Sequence, residues 1–141
     1  MEVGTSSDVL LPYAPSSVAV ARRRLAADLR AAGIFEPAVG DVALVVSELL
    51  SNAIRHAHPL PGSQVRVAWM LDSDAVEVTV SDGGAPTRPR VARPSLSSLG
   101  GRGLGIVENL ARCWGIRSDE RGTTVWAVMS APHVNGAPRS R

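Results

Sequence analysis

With 141 residues and 45% hydrophobic content, the chain holds enough apolar material for one folded core and too little for two. Its formal charge of +2 comes from interspersed acidic and basic residues, without the concentrated basic face of a nucleic-acid binder, so no direct nucleic-acid contact is expected. All fifteen basic residues are arginine, which leaves guanidinium groups, backbone amides or a metal ion as the positive groups able to meet a phosphate, and the single Cys113 excludes an intrachain disulfide or a cysteine zinc cluster.

The first seven residues, with Glu2 and no apolar run, do not read as a signal peptide and are expected to be disordered. No window approaches the roughly 18–20 apolar residues that span a bilayer, so a cytoplasmic protein without membrane contact is expected. Val9, Leu10 and Leu11 before Pro12 suggest a short edge strand. Ser16 to Ala32 reads as a helix, because Val18, Ala21, Leu25 and Leu29 recur at helical spacing and Gly33 stops it. A second helix runs from Pro37 or Val39 to His56, opened by proline and Asp41 and closed by Pro59, Pro61 and Gly62.

Val65, Val67 and Trp69 then alternate with polar or smaller neighbours, as do Val76, Val78 and Val80 after the turn Asp72-Ser73-Asp74. This is the pattern of an antiparallel hairpin. Residues 84–102 mix glycine, proline and serine without periodicity, and a connection of that length inside a domain suggests a lid or binding loop. A third helix from Gly103 to Arg112 follows, then strands at Trp114–Ser118 and Thr123–Ser130. Cys113, between Arg112 and Trp114, reads as a packed thiol at the end of a buried helix. The expected whole is one domain over residues 8–130, with a disordered tail over 131–141. Its class is α+β: a two-layer sandwich with helices on one face of a mixed, mostly antiparallel sheet.

Three segments carry candidate chemistry. In Ser47–His56, the residues Glu48, Asn52 and His56 are spaced four apart and share one helical stripe, with Val45, Val46, Leu49, Leu50, Ala53 and Ile54 on the apolar side. A carboxamide oxygen there can ligate a hard cation, and a carboxylate one turn earlier can orient or deprotonate an attacking group. A solvated polar stripe is the plainer reading of this segment alone. Ser81-Asp82-Gly83-Gly84 ends a strand, where a carboxylate can accept from an exocyclic amine and glycines admit a flat ring, although Asp-Gly-Gly is also an ordinary turn. Gly100-Gly101-Arg102-Gly103-Leu104-Gly105 opens a helix, where backbone amides can wrap an anion. It lacks the strand context of a dinucleotide fingerprint, and a Walker motif is impossible without lysine.

In this order the segments resemble the GHKL ATPases, the superfamily of gyrase, the Hsp90 chaperones, histidine kinases and MutL. Ser47–His56 is similar to its N box, Ser81–Gly84 and Gly101–Gly105 to its two glycine boxes, and Gly122-Thr123-Thr124 to its closing element. Within it, the runs Ser-Glu-Leu-Leu-Ser-Asn-Ala-Ile-Arg-His-Ala and Gly-Arg-Gly-Leu-Gly-Ile-Val most resemble the bacterial anti-sigma-factor serine/threonine kinases. The resemblance implies ATP and Mg²⁺, with Glu48 as general base and Asn52 as metal ligand. It implies Arg55 near phosphate, Asp82 reading adenine and Gly84 under the ring. Gly101, Arg102, Gly103, Leu104 and Gly105 would lie along the triphosphate, and Thr123 or Thr124 would support the base. Implied partners are a sigma factor and a STAS-type anti-sigma-factor antagonist, in a homodimer that regulates transcription. A catalytically weak ATP-binding switch and a stand-alone histidine-kinase catalytic domain are the alternatives. Pro86, where the family often has glycine, stiffens the entrance to the lid, and Arg88, Arg90 and Arg93 within it read either as phosphate clamps or as solvated charge.

Overall fold

The computed structural model describes residues 6–84 and 103–134. In chain order it contains strand β1 (Ser6–Pro12), helices α1 (Ser16–Ala31) and α2 (Glu36–His56), strands β2 (Gln64–Asp72) and β3 (Ala75–Asp82), helix α3 (Gly103–Leu110), and strands β4 (Cys113–Asp119) and β5 (Gly122–Ser130). This is the order that the periodicities predict. The expected lid lies outside the described residues beyond Gly84.

The strands form one sheet in the order β1-β2-β3-β5-β4. All four pairings are antiparallel, so the described sheet is not mixed. For two of the pairs the reason is local: the β2–β3 and β4–β5 connections are too short for the crossover that a parallel pair requires. At the first of them Ser73 takes a positive φ of 57° to close the turn.

Alternation sorts the two faces. Val65, Val67, Trp69 and Leu71 of β2 and Val76, Val78 and Val80 of β3 are buried, while Arg66, Met70 and Glu77 between them are exposed on the open face. The helices cover the first face. α1 contributes Ala21, Leu25 and Leu29, and α2 contributes Val39, Val42, Val45, Val46, Leu49, Leu50 and Ala53. Each fully buried valine or leucine stabilises by about 1.5–3 kcal/mol, so α2 is the principal core element.

That role corrects one expectation. By length and composition α2 does pass as a helix able to cross a membrane. Its apolar residues meet β3, α1 and α3, and a helix packed on several sides needs a wide apolar stripe.

Three boundaries also differ. β1 begins at Ser6, inside the segment expected to be disordered, and Ser7 donates to the Asp28 carboxylate at 3.0 Å, which also accepts from Trp69 Nε1 at 2.8 Å. Past β5, residues 131–134 are tied down: Ala131 N–H donates to Asp74 O, Phe35 N–H to Pro132 O and Val134 N–H to Gly33 O. Cys113 is an exposed residue of β4, not a thiol packed on a helix, because α3 ends at Leu110 and Arg112 N–H already pairs with Val128 O of β5.

Candidate functional site

α2 carries the first half of the site. Glu48 and Asn52 lie one turn apart and are half-buried, whereas Arg55 and His56 in the last turn are exposed. Asn52 Oδ1 is buried and, among the described residues, accepts no hydrogen bond. An unsatisfied buried acceptor costs about 1–3 kcal/mol and calls for an explanation. An amide oxygen beside a carboxylate is a suitable donor for a hard, oxygen-loving cation such as Mg²⁺, so the residues present fit that ion. Among the described residues there is no His/Cys/Asp/Glu cluster that would hold a metal without help from a ligand.

The end of β3 carries the second half. Asp82 is only 5% exposed, and its Oδ1 accepts from Gly84 N–H at 2.7 Å. Burial pushes its carboxyl up to about 6, against smaller downward pulls from the Gly84 amide and from His58. The box is held in place by the loop leaving α2. Gly83 N–H donates to His58 O at 2.7 Å, and His58 N–H donates to Gly84 O at 2.8 Å. A Cβ on Gly83 would fall 2.3 Å from Pro59 O, and one on Gly122 would fall 2.0 Å from Asp82 O. Glycine at these two positions lets three chain segments converge on one carboxylate.

The threonine left open by the sequence is separated by register. Thr123 is the cross-strand partner of Asp82 and shares its face. Thr124 opposes Ser81 on the other face, where the two hydroxyls bond at 2.8 Å. Thr123 is therefore the threonine beside the carboxylate, and Ser118 joins it across β4 with a 3.3 Å hydroxyl–hydroxyl contact.

α3 begins at Gly103, so Gly103, Leu104 and Gly105 occupy its first turn. Around Gly105, the position of an added Cβ is open space among the described residues, so packing does not demand a glycine there. Gly101 and Arg102 lie outside the described residues. α2, which carries Glu48 and Asn52, packs against both β3, which ends at Asp82, and α3, which begins at Gly103.

Sequence reading missed three residues around these segments: Tyr13, whose hydroxyl bonds the Ile54 and Ala57 carbonyls at the end of α2, His58 and Ser118. The dipeptide His58-Pro59 was a legible signal for an extended exit from α2, because proline disfavours helix in the residue before it. Nothing in the sequence signalled Tyr13 or Ser118.

A sequence profile described as a histidine kinase-like ATPase domain matches residues 11–129, a span that includes every element of this site. The chain belongs to the histidine kinase-like ATPase family. Membership implies use of ATP, generally with Mg²⁺, and a kinase-like role. Among relatives of this chain, the serine-protein kinase RsbW of Listeria monocytogenes serotype 4a is 30% identical over 112 residues, covering 71% of each chain. The serine-protein kinase RsbW of Listeria innocua serovar 6a matches at the same identity and coverage.

Proposed function

We propose that this chain is a Mg·ATP-dependent protein serine/threonine kinase that phosphorylates an anti-sigma-factor antagonist and sequesters a sigma factor, acting as a cytoplasmic homodimer. The observation that carries the catalytic part is the buried Asn52 oxygen, one turn beyond Glu48, which has no hydrogen-bond partner among the described residues. The similarity to serine-protein kinases supports serine as the acceptor. In this reading Asp82 accepts from the adenine amine, Gly84 lies under the ring, and Thr123 supports the base. Asn52 ligates Mg²⁺, which when bound neutralises phosphate charge. Gly101, Arg102, Gly103, Leu104 and Gly105 line the triphosphate, with Arg55 at its edge.

Glu48 takes the proton of the incoming seryl hydroxyl as its oxygen attacks the γ-phosphorus, and ADP leaves with the bridging oxygen. Acid–base assistance of this kind contributes about 10²–10⁴-fold. The test pairs two measurements on one preparation: ATP affinity by titration, and labelled-phosphate transfer to the antagonist. Glu48→Gln is expected to keep affinity and lose most transfer, and wild-type-like transfer would remove Glu48 from the mechanism. If the wild type binds ATP and its partner but transfers nothing, the chain is the ATP-binding switch.

A further inference from the structure

Helix α2 has to end without the usual device. Its C-cap residue is Ala57, in extended conformation with φ −118° and ψ 173°, and no glycine supplies a left-handed turn to satisfy the last carbonyls. Ala57 N–H satisfies Ala53 O. The carbonyl of Ile54, one residue further, is met by a side chain from outside the helix: the Tyr13 hydroxyl donates to it at 2.9 Å. The same hydroxyl also reaches the Ala57 carbonyl. Tyr13 itself is fixed, because its backbone N–H donates to Ser63 O at 2.9 Å, at the entrance to β2.

The residue after Ala57 is His58, whose N–H and C=O both pair with the Asp82–Gly84 box. A path of hydrogen bonds joined by the Ala57–His58 backbone therefore runs from the Tyr13 hydroxyl to Gly83 and Gly84. Asn52 stands at the start of the last turn of α2 and Asp82 at the end of the path.

We infer that Tyr13 is a positioning residue for the nucleotide site: by capping α2 in trans, its hydroxyl fixes the metal-ligating turn of the helix against the adenine-reading box. Among the described residues its hydroxyl bonds the Ile54 and Ala57 carbonyls, and neither Asn52 nor Asp82. It sets the spacing between the Asn52 and Asp82 ends of the site, and a ligand that must meet both ends depends on that spacing. The inference rests on the nucleotide reading above for its functional consequence, but its structural part stands independently.

Two features make it testable. Tyr13→Phe removes the hydroxyl and keeps the ring, and Tyr13 is the only tyrosine of the chain. ATP affinity of Tyr13→Phe, measured well below its melting temperature, is expected to fall about fivefold, the effect of one neutral hydrogen bond. Amide exchange at His58 and Gly83 in the nucleotide-free variant is expected to accelerate beyond that of other slow amides. A uniform acceleration of all slow amides, or unchanged exchange and affinity, would overturn the inference by showing a merely structural hydroxyl. Should the phenylalanine variant fail to fold, 3-fluorotyrosine in the wild-type sequence gives one ¹⁹F resonance. That resonance is expected to shift on addition of Mg·ATP, and an unmoved signal at saturation overturns the inference. A wild type that does not bind ATP defeats the nucleotide reading alone, because the exchange comparison still decides whether Tyr13 holds the box.

Discussion

Asp82 has a dual effect. Its carboxyl titrates near 6 instead of the ordinary 3.8, mainly because it is buried. The folded state therefore holds the proton more tightly than the unfolded chain. The stability tied to protonation is fully present below about 4 and is lost as pH rises through 6, a cost of about 3 kcal/mol at neutral pH. Asp82→Asn removes that charge and keeps an acceptor for Gly84. It is expected to melt higher than the wild type at pH 7.5 in the absence of nucleotide, and to bind ATP more than tenfold more weakly. A carboxylate–amine hydrogen bond in a closed pocket contributes about 1.5–3 kcal/mol. Thermal melts and nucleotide titrations on the same two proteins check both signs. Asn52→Ala is expected to lower Mg·ATP affinity more than magnesium-free affinity, because the orphaned oxygen is assigned to the metal. Equal losses in the two titrations would return Asn52 to a helix-shaping role.

At the scale of elements, α2 joins core and site. One stripe supplies the buried Val42, Val45, Val46, Leu49 and Leu50, and another supplies Glu48 and Asn52. Its exit loop then grips the glycine box through His58. Gly83→Ala tests that grip. A Cβ there would press on the backbone carbonyl of Pro59, which cannot rotate away as a flexible side chain would. The expected outcome is a protein that still folds on its unchanged α2–sheet core but loses ATP affinity and protection of the His58 amide. Hydrogen exchange alongside ATP titration separates this from global destabilisation. The Ser81–Thr124 pair belongs to the same scale: its hydroxyls bond on the open face, and Thr124→Ala is expected to leave ATP affinity unchanged while Thr123→Ala weakens it.

For the whole molecule, the charge state of one buried group links binding to pH. An adenine amine donating to Asp82 favours the ionised form, so nucleotide binding near pH 6 is expected to release protons and to weaken as pH falls through 6. Calorimetry in buffers of different ionisation enthalpy measures the proton count, and Asp82→Asn, which has no such proton, corrects for titration of the phosphates. Local periodicity alone determined the element order, the one-sided sheet and the Glu48–Asn52 stripe, because burial patterns of period 2 and 3.6 are written residue by residue. Glycine placement marked Asp82 as the end of a strand for the same reason. Which threonine stands beside Asp82, how far Cys113 is exposed, and what caps α2 were decided only by tertiary structure. Each depends on strand register or on a contact between segments distant in sequence, such as Tyr13 with Ile54, and no local pattern encodes where a neighbouring element will lie.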